Sequence, residues 1–371
     1  MFKFLELKEE TFGLDITDLS IKIIKLEKKS KGFKLVSYNR TDIKPGVIES
    51  GVIKDEGALV KIIRNACASV KGKKLNTKYI VASLPEEKSF LQVIQMPKMN
   101  KEELKLAVPL QAENYIPLPV NDVYLDFQVI QPVKNYLSYL EVLIVAIPKK
   151  IVDPYVSCLR KAGLVPLVFE VESQAIARTL IKKGNGVSPL ILIDLGKNNT
   201  EFIVFSDHSI RFTCSIPISS QQLTTAISDA LKIDFEEAQK LKIKYGIDGA
   251  SSEVGKNKER AKKIKEAMDP LLDALAEEIE KYSNFYHDHP SSERLPDGKI
   301  EKIVLCGGGA NLRGLPEFLS KKLGIPVELG NPWLNSLFRK TDNIINKDIL
   351  SFTTAIGLSL RGADDKEYNL I

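Results

Sequence analysis

Residues 190–200, Leu-Ile-Leu-Ile-Asp-Leu-Gly-Lys-Asn-Asn-Thr, carry an apolar run into Asp194 and then into a polar turn. The same order of features stands near the N-terminus, where Phe12-Gly13-Leu14-Asp15-Ile16 leads through Thr17 and Asp18 into a second run. Strand-like segments 20–26 and 33–38 follow Asp15, and 201–206 and 209–215 follow Asp194. Short runs joined by tight turns predict antiparallel strands. The aspartates lie 179 residues apart, at positions 15 and 194. The letters are not repeated but the architecture is, which predicts a duplicated α/β fold. A chain of 371 residues is also too long for one small core, so two lobes around a cleft are expected.

Aspartate at a strand end most often caps a turn. Two of them in matched settings and facing one cleft can hold a hydrated Mg²⁺, because a hard cation takes oxygen ligands and keeps several waters. Asp15 and Asp194 are therefore the candidate metal ligands. The turns beside them offer backbone N–H groups to phosphate oxygens. Lys22, seven residues after Asp15, can reach back to a phosphate. Gly196 lets the backbone approach a phosphate, and Asn198 and Thr200 can donate hydrogen bonds. Gly307-Gly308-Gly309-Ala310 stands between a strand at 300–305 and a helix near 312–323. Glycines there allow close approach to a flat ligand. Glu237 and Lys240, three apart on one helix, can bracket a ribose.

Between the two copies, strands at 79–84, 90–95, 123–130 and 140–147 with a helix capped by Asn100 read as a small inserted α+β unit. Pro109 is expected to kink or break that helix. The net charge of +5 is modest, with no basic stripe interleaved with aromatics, which argues against nucleic acid. Cys67, Cys158, Cys214 and Cys306 form no Cys-x-x-Cys pair, as a reducing cytosol favours. No apolar stretch approaches the ~20 residues of a membrane helix.

These pieces in this order resemble the actin-like superfamily. Its first phosphate turn matches Gly13-Leu14-Asp15-Ile16 through Lys22, its second Asp194-Leu195-Gly196 through Thr200, and its adenosine motif Gly307-Gly308-Gly309-Ala310-Asn311. Its two connecting helices match 173–180 and 351–360, where Ala175, Ala177, Ala355, Gly357 and Ser359 allow a close crossing. Within the superfamily the chain resembles the PilM family of type IV pilus assembly proteins. Glu236-Glu237-Ala238-Gln239-Lys240-Leu241-Lys242 and Thr354-Ala355-Ile356-Gly357-Leu358 are among the stretches that carry it.

The resemblance implies an actin-like, two-lobed RNase H-like duplication. Residues 11–77 form the first lobe, completed by 151–185 and the helix 350–361. Residues 78–150 are the inserted subdomain, 186–349 the second lobe and 362–371 a C-terminal tail. It also implies ATP and Mg²⁺ as cofactors, with ATP setting lobe closure. The implied role is that of a cytoplasmic adaptor gripping the N-terminal tail of the inner-membrane protein PilN. Self-association is allowed; nucleic-acid binding and direct membrane insertion are not expected. Thr17 and Asp18 occupy the family's phosphate-binding positions, where Gly-Ser-Ser is usual. Asp18 in place of a serine implies slow or absent hydrolysis, since an ionised carboxylate repels phosphate and donates no hydrogen bond. The alternative is an FtsA-like division protein tethering filaments to the membrane. The tail Tyr368-Asn369-Leu370-Ile371 resembles the segment that PilN-like partners insert.

Overall fold

The computed structural model describes residues 9–30, 32–130, 138–182, 188–249, 254–288, 299–335 and 348–363. The tail from 364 onward lies outside the described residues. The chain divides into two compact units, one of Met1–Val187, Asp207–Thr213 and Asn331–Ile371, the other of Ser188–Ser206 and Cys214–Gly330.

The first unit opens with β1 (Thr11–Thr17), β2 (Ser20–Lys29), β3 (Gly32–Asp42), the small hairpin β4 (Ile48–Glu49) and β5 (Val52–Ile53), α1 (Glu56–Ala68), β6 (Lys71–Gly72) and β7 (Tyr79–Leu84). There follow β8 (Phe90–Pro97), α2 (Lys101–Ala112), β9 (Val123–Ile130), β10 (Tyr139–Pro148), α3 (Lys149–Lys161), β11 (Val165–Val171) and α4 (Glu172–Leu180). The second unit holds β12 (Leu190–Leu195), β13 (Thr200–Ser206), the end of β14 (Ser209–Ile216, of which Ser209–Thr213 counts with the first unit), α5 (Ser220–Leu231), α6 (Phe235–Tyr245), α7 (Lys256–Asp288), β15 (Lys302–Cys306), α8 (Leu315–Leu323) and β16 (Val327–Leu329). The chain then returns to the first unit through α9 (Thr353–Ala363).

The large sheet of the first unit runs β11-β7-β1-β2-β3-β6, and that of the second β14-β13-β12-β15-β16. In each, the aspartate-bearing strand pairs antiparallel with the next strand on one side and parallel with a later one on the other. A strand flanked on both sides has its backbone groups satisfied, so its C-terminal turn is held in a fixed place.

In the first unit α1 buries Leu59, Ile63 and Ala66, spaced by about one turn, beneath the sheet core of Phe12, Leu14, Ile21 and Ile23. Truncating Leu59 or Ile63 to alanine costs about 2–5 kcal/mol. On the other face α9 lies across β1. Gly13 permits this, since a Cβ there would meet the Ser359 nitrogen at 2.6 Å. Gly357 lets α9 cross α4 at van der Waals range, where any Cβ would collide with the Ala175 carbonyl. The crossing is pinned by Thr179 Oγ1 donating to the Thr353 carbonyl at 2.9 Å and by the buried Arg178–Glu170 pair, whose Arg178 also donates to Gly357 O.

The inserted subdomain is the sheet β8-β10-β9 with α2 packed on it through Leu104, Val108 and Ala112. Asn100 caps α2, its side chain accepting from Glu102 N and Glu103 N while Glu103 bonds back to Asn100 N, a capping box. The helix does not break at Pro109 but runs on to Ala112. The proline falls in the last turn, so only one intrahelical bond is forfeited. Among the described residues no helix is long and apolar enough to cross a membrane.

Candidate functional site

The turn after β1 is tightly organised. Asp15 is buried at the strand end and directly opposite Lys22 in the β1–β2 register. Lys22 Nζ donates to Asp15 Oδ2 at 2.8 Å, and Ser83 Oγ donates to Asp15 Oδ1 at 3.1 Å. Ser83 at the end of β7 also accepts from Ile16 N at 2.9 Å, which ties the two parallel strands together at the turn. Thr17 Oγ1 contacts the Ser20 carbonyl and hydroxyl within the turn. Thus Asp15 and Lys22 are brought together, as an ion pair.

Asp18 is turned elsewhere. Its two oxygens accept from Ser50 N at 2.8 Å and Gly51 N at 2.9 Å, in the turn of the β4–β5 hairpin. Ser50 and Gly51 have φ of 47° and 70°, left-handed backbone that leaves both N–H groups pointing one way. A carboxylate fills that nest. The Tyr155 hydroxyl donates to Gly51 O at 3.1 Å, and a Cβ on Gly51 would meet Pro85 at 2.7 Å. Pro85 leads into the inserted subdomain, where burial, with the charge of Asp18 acting in the same sense, holds the Glu87 carboxyl above its ordinary range. Asp18 therefore joins the first turn to the lead-in of the subdomain.

The second turn differs in chemistry. Asp194 is opposite Glu201 in the β12–β13 register, so two carboxylates share one face of the sheet. Asn199 Nδ2 donates to Glu201 Oε1 at 2.9 Å. Gly196 N donates to Asn199 O at 3.0 Å, closing the turn; a Cβ on Gly196 would stand 2.7 Å from that oxygen. The turn is bonded to the start of α5, with Ser220 N donating to Gly196 O at 3.0 Å and Gln221 N to Lys197 O at 3.2 Å. Thr200 is buried and gives its hydroxyl proton to Ile218 O at 2.6 Å, so it braces the turn. Lys197 and Asn198 are exposed at the tip.

The glycine triplet meets this turn. Gly307 is buried with φ of 82°, and a Cβ there would collide with the Asp194 carboxylate and come within 2.6 Å of Leu195 O. Gly309 is buried against Leu195, Gly308 is exposed, and Ala310 is buried in the short helical turn Gly308–Asn311. Within the second unit Gly307 and Gly309 thus pack on Asp194 and Leu195, next to the Gly196 turn, and a carboxylate beside glycine backbone is a donor set that suits a phosphate-bearing ligand with a divalent cation.

The predicted pair lies on the exposed side of α6. Glu237 is exposed and paired with Arg260 at 2.8 Å, and Lys240 is exposed. The buried lysine of that helix is Lys242. Its Nζ donates to Ser220 O at 2.6 Å and Ser220 Oγ at 2.9 Å, directly behind the Gly196 turn. Burial lowers its pKa to about 8. The sequence reading missed Lys242 and α5. Both had signals: Ala238, Leu241 and Tyr245 define a buried stripe that includes position 242, and Ser219 with Gln222 forms the capping box that opens α5.

Comparison with known proteins relates the chain to a family, to solved structures and to curated relatives. A family model described as "Type IV pilus assembly protein PilM" matches residues 13–363. The structure of a "PilM-PilN type IV pilus biogenesis complex" is 25% identical with a TM-score of 0.79, covering 96% of this chain and 100% of that one. MreB 5 of Spiroplasma citri bound to AMPPNP, 11% identical with a TM-score of 0.55 and 96% of each chain covered, shares the fold, which is actin-like. Curated relatives include the cell division protein FtsA of Enterococcus hirae, 25% identical over 350 residues, covering 86% of this chain and 78% of that one. FtsA of Pseudomonas aeruginosa is 28% identical over 220 residues, 55% of this chain and 49% of that one, so this match spans about half the relative's length.

Proposed function

The chain belongs to the type IV pilus assembly protein PilM family, and from that premise we propose that it is an ATP-binding assembly adaptor that grips the N-terminal tail of PilN. The observation that carries the reading is the full-length likeness to the protein solved in a PilM–PilN complex, all of which is covered. On this reading the adaptor works in the cytoplasm and is recruited to the inner face of the membrane by its partner.

The nucleotide reading rests on the second unit's donor set and on a fold shared with an AMPPNP-bound MreB. Backbone N–H groups near Gly196 and the exposed Asn198 take phosphate oxygens. Gly307 to Ala310 take the adenosine. Asp194, with Glu201 opposite it, supplies the negative charge that a Mg²⁺ offsets. In the first unit Asp15 and Lys22 form a neutral pair whose ammonium can turn to a phosphate. Asp18 holds the β4–β5 hairpin on this reading, which frees phosphate binding from the repulsion that its sequence position implied. Mg²⁺ neutralises phosphate charge when bound; the chain's own groups fix the turns around it.

Fluorescence anisotropy of a labelled PilN N-terminal peptide titrated with the full chain, with and without Mg·ATP, tests the reading. Saturable binding over a scrambled peptide is expected. Equal affinity for the two peptides sinks it.

A further inference from the structure

Residues 27–34 and 71–74 contain seven lysines and one glutamate, a formal charge of +6, where the whole chain carries +5. The rest of the chain is therefore slightly acidic, and the excess charge is concentrated in two short segments. The fold brings those segments together. β2 and β3 form a hairpin in which Glu27 lies opposite Lys34 and Lys28 opposite Phe33, and β6 adds to the β3 edge with Tyr38 opposite Lys71. Lys73 N donates to Val36 O, which places the 71–74 segment along the same edge. Lys28, Lys29, Lys34, Lys71, Lys73 and Lys74 are all exposed.

The charges are close enough to feel one another. Lys29 is hydrogen-bonded to Glu27 at 2.6 Å, and the bond, with the fields of Lys29, Lys73 and Lys34, holds the Glu27 carboxyl below its ordinary range. One carboxylate is thus set among lysines from β2, β3 and the segment after β6. Lysines on a sheet edge commonly serve to prevent pairing with other strands, and that accounts for Lys71 and Lys73. Lys29 and Lys34 stand where the β2–β3 hairpin runs on past its pairing with β1 and β6, and edge protection does not account for a local charge exceeding that of the entire chain.

We propose that this hairpin end is an electrostatic docking surface for anionic phospholipid headgroups. The chemistry favours a fluid array of phosphates over a fixed acidic ligand. The two segments contain no arginine, the side chain suited to bidentate recognition of one phosphate or carboxylate. Lysine ammoniums on flexible stems act as point charges and need no single geometry. Nucleic acid is disfavoured because the patch has no stacking platform: Phe33 is buried and the Tyr38 ring is covered by Lys71 at 5.8 Å. The surface goes beyond the adaptor reading and rests on it only for bringing the chain to a bilayer. Polybasic clusters gain from the negative potential of such a surface over about one Debye length, so the effect is steeply salt-dependent.

Co-sedimentation of the full chain, without partner or nucleotide, with vesicles of equal parts phosphatidylglycerol and phosphatidylcholine tests the proposal. Binding is expected to these vesicles, not to pure phosphatidylcholine, and to vanish near 0.5 M NaCl, where screening is nearly complete over ~4 Å. Neutralising one lysine should lower partitioning about fivefold. The reversal K29E/K34E/K73E should abolish it, while the reversal K258E/K262E/K263E on α7, equal in charge change, should not. Removal of residues 364–371 should leave binding intact, which separates the patch from any C-terminal anchor. Failure of the wild type to sediment, equal loss in both reversals, or patch-dependent binding to RNA or polyglutamate without vesicle binding would each overturn the proposal. A failure of the PilN peptide to bind would leave this result unaffected.

Discussion

The two aspartate turns share a backbone and differ in the residue that faces the aspartate. Asp15 is opposite Lys22, and Asp194 is opposite Glu201, each partner seven residues on in the same antiparallel register. In the first, the aspartate is buried and its charge is matched by Lys22, with Ser83 also bonded to it. In the second, two carboxylates face each other across the strands, and it is there that Gly307 touches the Asp194 carboxylate. The hairpin is the same in both, while the residue across from the aspartate decides whether that carboxylate has a counter-charge beside it.

Removing Lys22 tests the first half of that contrast and carries the largest expected effect. Lys22→Met leaves a nearly inaccessible carboxylate without its counter-charge, a loss of about 3–5 kcal/mol. Urea unfolding measures it, and Asp15→Asn added to Lys22→Met should restore most of the loss. A single variant as stable as the parent would show that Ser83 alone suffices for Asp15.

The second half predicts binding rather than stability. Asp194→Ala should weaken Mg·ATP about a hundredfold by calorimetry while the melting temperature stays near that of the parent. Glu201→Lys copies the first turn's pairing onto the second and should remove most of the Mg²⁺ dependence. Affinity unchanged in both variants would take the metal assignment away from this turn.

Asp18 marks where sequence reading ran out. The repeated turns were legible because strand spacing and a terminal aspartate are local signals; Lys22, expected to reach a phosphate, is found bonded to Asp15. The partners of Asp18 are Ser50 and Gly51, more than 30 residues on, in a hairpin with strands of two residues that no periodicity announces. Glu237 and Lys240 satisfied the three-residue spacing of a helix pair, but spacing does not say which face is buried. The stripe of Ala238, Leu241 and Tyr245 does, and it places Lys242 on the buried face while Glu237 and Lys240 stay exposed. Since hydrogen bonds to a charged acceptor contribute about 1.5–3 kcal/mol and this one is partly exposed, Asp18→Ala should cost about 1.5 kcal/mol. Its ATP affinity should equal the parent's. A gain in affinity would mean that the carboxylate repels phosphate after all.

The smallest effect concerns Lys242, which stands behind the second turn and has no counterpart in the first. Burial lowers its pKa to about 8 from an ordinary 10.5. Below pH 8 it is protonated both folded and unfolded, so it adds no pH dependence there. Between about 8 and 10.5 the unfolded chain holds the proton and the folded chain has released it, so stability rises with pH. From pH 8 to 9 the gain is about 1 kcal/mol. Other lysines and tyrosines titrate over the same range, so the measurement is a difference: parent minus Lys242→Met, by urea unfolding at each pH. The parent should gain on the variant as pH rises. Phosphates bound at the Gly196 turn would favour the ammonium again, so Mg·ATP binding near pH 8 should take up protons, seen as a dependence of the calorimetric enthalpy on the buffer. In Lys242→Met that uptake should vanish; if it persists undiminished, the proton belongs to another group and Lys242 only props the turn.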